Sequence, residues 1–521
     1  MGRGSHRPAL MRLFQPVTAV SMARRGEGRS TAAAPMGLSA LAPDACTGYR
    51  GGPTACCGRR PHRSTPPMQA MTTRQTVAQL WTLAYPIIGL NVLNVLALAV
   101  DTAMCGRLPD AETALTALGF ATQVVFLLMV AMMGLTVGTV AFVARAYGAG
   151  DTARVNHILR QSSQLTVLLG LGVALLGNLA APFILRALGA SGASLEQSLA
   201  YLVPMLGGTV FPYLSLLYAG VLRGVGNTRL PFMIALLYNG LNVVFNYGLI
   251  LGNYGMPALG VQGAALGTVL AHAVGTVAMI ALLRRGAIPG LTLPLKPTAL
   301  DTSLAGELIR IGAPAALDMV ILNAAFMVIV GMLGRIDEVA VAAHGMGLRV
   351  QALAFVPGLS VSQATGALVG QALGADNAQQ AKRVVRVSVV MTTAIMSLLA
   401  ILIIGAVEPI VSVFDVNPDT ALGGFTVTWI EVLGYGMPAV GVYVAFVGML
   451  QGSGETRTSL KINFLATALC QIPLAGLLGF TFGLGAVGIW ASLPLSFIIK
   501  SALGAVVYKR GNWARAGARV A

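Results

Sequence analysis

The residues best suited to chemistry stand where polar groups are costly. Asp101 lies near the end of an apolar stretch, QLWTLAYPIIGLNVLNVLALAVDTAMC (79–105), which also carries Pro86, Asn91 and Asn94. The stretch is long enough to cross a bilayer as a helix. A carboxylate in the hydrocarbon region costs at least about 2.5–3.5 kcal/mol. A proton, a cation or a cationic ligand is therefore expected to offset it. Asn91, Asn94 and Asp101 recur at i, i+3 and i+10, which places them on one helical face. A second apolar segment carries Asn239, Asn242 and Asn246 at i, i+3 and i+7. Carboxamides donate and accept, so this stripe suits a neutral carboxylic acid or a small cation. It also suits ordinary interhelical bonding, worth about 0.6 kcal/mol per pair. The predicted chemistry is reversible loading of Asp101. The motifs of zinc hydrolysis (H-E-x-x-H), of phosphate-cradling loops (G-x-x-x-x-G-K-[ST]) and of G-x-S-x-G hydrolases are missing, so neither an enzyme nor ATP-driven transport is expected.

The elements that must hold these groups follow from composition. The 521 residues are 56% hydrophobic and only 10% charged, with a mean hydropathy of +0.76. Soluble domains are about a quarter charged, so the chain is an all-α polytopic membrane protein. Apolar runs longer than a barrel strand exclude a porin-type barrel. Hydrophobic periodicity predicts twelve transmembrane helices. The first six lie near 79–105, 113–146, 155–187, 194–224, 229–252 and 260–284. The other six lie near 307–333, 340–372, 380–413, 421–451, 458–481 and 485–508. Gly and Pro within long spans predict bent helices.

Charge orients them. One set of loops holds Arg145, Arg154, Arg160, Arg223, Arg229, Arg284, Arg285, Lys382, Arg383 and Arg457, whereas the opposite set is dominated by Asp110, Glu112, Glu196, Asp337, Glu338 and Asp419. The positive-inside rule then places both termini in the cytoplasm. A multi-pass protein of a bacterial inner membrane is expected. Residues 1–70 hold ten arginines against Glu27 and Asp44, half of the net charge of +16. They read as a disordered basic extension, either a transit peptide, which would imply an organellar envelope, or an over-extended start before Met68 or Met71. Nucleic acid is not the expected partner of this charge, since cationic loops serve the membrane. Cys46, Cys56 and Cys57 lack the paired spacing of a zinc knuckle, and no metal site or cofactor is expected.

The two sets of six helices repeat. GVLRGVGNTR (220–229) matches GMLQGSGETR (448–457), CGRLPD (105–110) matches LGRID (333–337), and Pro86 matches Pro314. The domains expected are an N-terminal lobe (71–286), a cytoplasmic linker (287–306), a C-terminal lobe (307–510) and a cytoplasmic tail (511–521). Equal orientation of two six-helix repeats implies a pseudo-twofold axis along the membrane normal, a transporter architecture.

These doubled signatures, with VDTAMCG (100–106) and LRGVGNTR (222–229) followed by LNVVFNYGLIL (241–251), resemble the multidrug and toxic compound extrusion (MATE) family. The resemblance spans about residues 75–510. It implies that Asp101 couples transport to a cation, that Asn242 and Asn246 face it, and that Thr268 completes the network. The acids of the sodium-coupled NorM type fall on Leu322, beside Asn323, and near Val440. Their replacement points to the DinF-like branch, with Asp318, one turn from Leu322, as a substitute or a solvated core group. The 228-residue offset sets Asp101 opposite Ile329, Asn242 opposite Cys470 and Asn246 opposite Leu474. The second lobe is therefore expected to offer mostly shape.

The function expected is secondary active efflux of drug-like, often cationic, compounds in exchange for H⁺ or Na⁺. Asn91, Asn94, Asn239, Asp318, Asn323 and Met129 are expected at a substrate cavity, where thioethers adapt to varied ligands. Pro86 is expected as a hinge. A monomer in the lipid bilayer is the expected working unit. A lipid-linked oligosaccharide flippase of the same superfamily would want several buried arginines for pyrophosphate, and here Arg349 is the main candidate away from helix ends. A non-transporting scaffold is the remaining alternative.

Overall fold

The computed structural model describes residues 71–293, 298–414 and 416–515. The extension expected at 1–70 lies outside them, as do residues 516–521 of the expected tail. Twelve spans fill the described chain. We number them α1 (Thr73–Cys105), α2 (Ala111–Gly148), α3 (Thr152–Ala187), α4 (Gly192–Gly207 with Val210–Gly224), α5 (Arg229–Leu251) and α6 (Val261–Arg284). The second six are α7 (Thr302–Leu333), α8 (Glu338–Ala354 with Val356–Gly374), α9 (Ala378–Gly405), α10 (Ala421–Ser453), α11 (Thr456–Thr481) and α12 (Gly485–Arg510). Ten are single helices long and apolar enough to cross a bilayer; α4 and α8 are pairs bent by 53° and 43°. Gly207 and Gly208 sit at the first bend. At the second, Pro357 opens the following half and removes a backbone donor.

Packing partners repeat between the halves. α1 packs on α5 as α7 packs on α11, α2 on α4 as α8 on α10, and α4 on α6 as α10 on α12. The result is two pseudo-symmetric six-helix lobes. Pro86 and Pro314 are buried inside continuous helices, and each leaves the carbonyl four residues earlier without its helical donor. The symmetry is imperfect. α11 widens into π-helical turns at Leu465–Gln471 and Leu477–Thr481, where α5 stays α-helical along its Asn stripe. α9 ends at Gly405 rather than reaching 413, and a short helix, Val407–Ser412, follows. Glu408 lies in the first turn of that short helix and is exposed.

The lobes meet on one side of the bilayer midplane. At Gly134 an added Cβ would lie 2.5 Å from the Gly312 carbonyl oxygen, and at Gly312 one would lie 2.6 Å from that of Gly134. Only glycine lets α2 and α7 approach this closely. Gly148 and Gly374 do the same for α2 and α8, each facing a carbonyl of the other lobe at 2.0 Å. Hydrogen bonds join the lobes at Gln371–Gly224 (2.8 Å), Gln380–Thr76 (3.3 Å) and Asn91–Ser360 (3.0 Å). Arg145 donates to the Ser453 backbone carbonyl and Arg223 to the Gln363 side-chain oxygen Oε1. The linker is strapped to α3, with His157 against Asp301 at 3.1 Å and Gln161 donating to the Ala299 carbonyl at 3.0 Å. Apart from Asn91–Ser360, which lies near the middle of α1, these contacts lie in the half that carries the basic loops. Toward the acidic loops the described residues form no hydrogen bond between lobes.

Candidate functional site

Asp101 sits one turn before the end of α1, in the half that carries the acidic loops. The residue is 8% exposed, and Asn246 Nδ2 donates to its Oδ1 at 2.5 Å. One turn earlier on α5, Asn242 Nδ2 donates to Thr268 Oγ1 at 3.0 Å. That hydroxyl in turn donates to the Ala264 carbonyl within α6 at 2.9 Å. The structure thus brings Asp101, Asn246, Asn242 and Thr268 together from α1, α5 and α6.

The network is rich in acceptors. Asn246 Oδ1 and Asn242 Oδ1 are buried and accept no hydrogen bond, and an orphaned buried acceptor costs about 1–3 kcal/mol. Among the described residues no Lys, Arg or His nitrogen lies within 4 Å of the Asp101 carboxyl. Such a set of oxygens can take up a proton or coordinate a small cation. Gly267 shapes it: a Cβ there would lie 2.1 Å from Asn246 Oδ1. Sequence reasoning missed Gly267, although it directly precedes Thr268.

The other expected residues divide. Asn94 accepts from Tyr238 Oη on α5 at 3.0 Å, and the Tyr238 ring stacks on His272 at 4.5 Å. Asn91 instead crosses to Ser360 on α8, so the expected polar face of α1 serves two partners: the lobe interface at Asn91, and α5 at Asn94 and Asp101. Asn239 spends its amide N–H on the Ala235 carbonyl of its own helix, and Asn323 does likewise with Met319. Met129 is half-buried on α2, while Arg349 is exposed on α8.

The second lobe holds more than shape, against expectation. Ser459 Oγ donates to Asp318 Oδ2 at 3.2 Å, Asn463 Nδ2 donates to the Asp318 carbonyl at 3.1 Å, and Asp318 Oδ1 has no partner. Lys500 on α12, 1% exposed, places Nζ 5.0 Å from the Phe497 ring centre and 5.4 Å from that of Tyr443. The signal was available in SFIIKSALG (496–504), a lysine within an apolar run. By repeat position Asp318 corresponds to Leu90, so the carboxylates of the two lobes sit at different depths.

A family model described as MatE matches residues 86–248 and 314–477. The two matches open at Pro86 and Pro314, in register with the internal repeat. A probable multidrug resistance protein NorM from Thermotoga maritima is 26% identical over 450 residues, 84% of this chain and 92% of its own. An FAD transporter from Shewanella oneidensis is 28% identical over 397 residues, 74% of this chain and 84% of its own. Among solved structures, a MOP superfamily transporter from Pyrococcus furiosus superposes with a TM-score of 0.78 at 21% identity, over 87% of this chain and all of that one. A multidrug resistance MATE transporter in an outward-facing conformation gives the same figures.

Proposed function

Since this chain belongs to the MatE family, a family of membrane transporters and not of enzymes, we propose that it is an ion-coupled efflux antiporter. It would export organic, often cationic, compounds in exchange for H⁺, with Na⁺ as the other candidate ion. The observation that carries this reading is the Asp101 carboxyl, buried between α1, α5 and α6 with an amide donor but no cationic side chain. A permanent arginine partner would hold its charge; an amide leaves it free to change.

The working cycle follows from that freedom. With the basic loops in the cytoplasm, the side without hydrogen bonds between the lobes faces outward, and Asp101 loads its ion there. Neutralisation removes the reason for water and donors to crowd the carboxyl, so α1 can repack, with Pro86 as the hinge. On the inward side, release of the ion restores a carboxylate that attracts a cationic substrate, and rocking of the lobes expels it. The names of the curated relatives, multidrug resistance proteins among them, support export of drug-like compounds. A bacterial inner membrane, both termini cytoplasmic and a monomeric unit complete the reading.

The test is efflux of a fluorescent cation from vesicles with each ion gradient imposed separately. Asp101→Asn keeps the shape and loses the titration, so gradient-driven efflux should fall at least about a hundredfold, near 2.7 kcal/mol of coupling. Undiminished gradient-driven efflux in Asp101→Asn would reject the mechanism.

A further inference from the structure

We propose that His157 and Asp301 form a latch across the seam between the lobes, on the side of the basic loops, and that acid on that side tightens it. The proposal rests on the antiporter reading, under which this side faces the cytoplasm and gains protons as the exchanger runs. The latch is then a brake on inward opening.

Asp301 stands at the seam with one oxygen on each lobe. Its Oδ1 accepts from the Leu304 N–H at 3.0 Å and caps α7, the first helix of the second lobe. Its Oδ2 meets His157 Nε2 on α3, in the first lobe, at 3.1 Å. Its own N–H donates to Gln161 Oε1 at 3.0 Å. The residues just before it are held by the same helix. Gln161 Nε2 donates to the Ala299 carbonyl at 3.0 Å, and Gln164 Nε2 to the Thr298 carbonyl at 3.1 Å. His157, Gln161 and Gln164 recur at i, i+4 and i+7, one stripe of α3. Earlier in the linker, Asn156 donates to the Gly290 carbonyl and accepts from the Thr292 N–H, each at 2.9 Å. On this side α7 cannot swing away from α3 without breaking the Asp301 bonds or leaving its own cap behind.

One of these bonds answers to pH. Histidine changes charge between about pH 5 and 8, and the amides do not. Asp301 stays a carboxylate through that range, because the Leu304 N–H and then His157 hold it below the ordinary carboxylate value. As pH falls through the histidine range, a hydrogen bond becomes an ion pair and the latch strengthens; as pH rises, the hydrogen bond alone remains. The two side chains are 40% and 37% exposed, so the gain is that of a surface ion pair, about two- to fivefold in an equilibrium. Such a gain slows opening without forbidding it. The elements that meet here carry other charges: Arg154 and Arg160 on α3, Glu307 and Arg310 on α7, and Arg145 and Arg223 on α2 and α4, the last two turned to Ser453 and Gln363. Among the described residues His157 has no other carboxylate within 4 Å, and Asp301 no Lys or Arg nitrogen. The other described histidines, His272 and His344, lie within α6 and α8.

The experiment uses the full chain in lipid nanodiscs with no ion gradient, carrying Asp101→Asn so that the transport carboxyl does not titrate. Nitroxides at Ala153→Cys and Gly306→Cys, with all five native cysteines removed, report the α3–α7 separation by pulsed EPR. Both positions are exposed, and Gly306 has open space around it. From pH 8 to pH 6 the ratio of close to separated populations should rise about two- to fivefold. His157→Gln keeps an N–H donor but does not titrate, and should flatten that response. Asp301→Asn keeps a capping oxygen and loses the charge, and should flatten it as well. A ratio that does not move with pH, or that moves equally in either variant, would overturn the latch. In vesicles held at a fixed pH difference, acidifying the cytoplasmic face over the same range should slow wild-type efflux about two- to fivefold relative to His157→Gln. If Asp101 efflux fails its test while the EPR ratio still follows pH, the antiporter reading falls and the latch stands; the reverse pattern removes the latch alone.

Discussion

At the scale of single residues, the molecule turns on how few partners Asp101 has. Its one side-chain donor is Asn246, and Asn246 in turn is held by what Gly267 leaves out. A methyl group at 267 would lie 2.1 Å from Asn246 Oδ1, so Gly267→Ala must displace the amide that meets the carboxyl. We expect a loss of about 1–3 kcal/mol in stability, the range for overpacking, and a loss of ion-driven efflux of about tenfold or more. Adding Asn246→Ala should restore the melting temperature but not the efflux, which separates packing from coupling. Asp101 and the Asn stripe of α5 were readable from residue types and spacing alone, because a polar group in an apolar run stands out. Gly267 was not, since glycine has no side chain to announce a contact. Tyr238 was missed for another reason: it resembles packing until its hydroxyl is seen against Asn94.

Among the elements, α1 is one that packs on both lobes. Its first half packs against α8 and α9 of the other lobe, and its last turns carry Asp101 to α5. Pro86 lies within the stretch that packs on the other lobe, five residues before Asn91 reaches Ser360. Replacing it by alanine restores a helical N–H, and an interior proline costs a helix about 3 kcal/mol. Pro86→Ala should therefore be at least as stable thermally while transporting several-fold more slowly, as read by initial rates in vesicles. A second expectation concerns the α2–α7 crossing. Gly312→Val puts side-chain atoms where the Gly134 carbonyl oxygen lies 2.6 Å from a Cβ. It should hold the lobes apart on the basic side and raise the accessibility of cysteines placed along that seam. Helix existence and order were legible from hydropathy, since each span needs roughly twenty apolar residues. The break in α8 and the widened turns of α11 were not, because they depend on which carbonyls find donors from neighbouring helices.

For the whole molecule, hydrogen bonds join the lobes toward the basic loops, and under the antiporter reading that joined side belongs to one state of a rocking pair. The Asn91–Ser360 contact, 3.0 Å between side chains of opposite lobes, gives a way to arrest it. In a background lacking all five native cysteines, Cys46, Cys56, Cys57, Cys105 and Cys470, Asn91→Cys with Ser360→Cys should form a disulfide on oxidation. It should lower efflux at least about tenfold and release it on reduction. Cross-linking without effect on transport would mean that the lobes do not separate there. The sequence by itself determined that the chain is a doubled, twelve-span helical membrane protein with one acid in the oil of its first lobe. Length, hydropathy and loop charge act locally along the chain, and an ionisable group in an apolar run is costly wherever the run ends up. Only the tertiary structure decided which of the polar residues meet. It sent Asn91 to the other lobe and Asn94 and Asp101 to α5, and it gathered Asp318, Ser459, Asn463 and Lys500 from three helices into a cluster that no spacing predicts. Contacts between residues more than a hundred positions apart are set by how helices tilt and cross. That in turn is set by glycines and small side chains whose neighbours lie elsewhere in the chain.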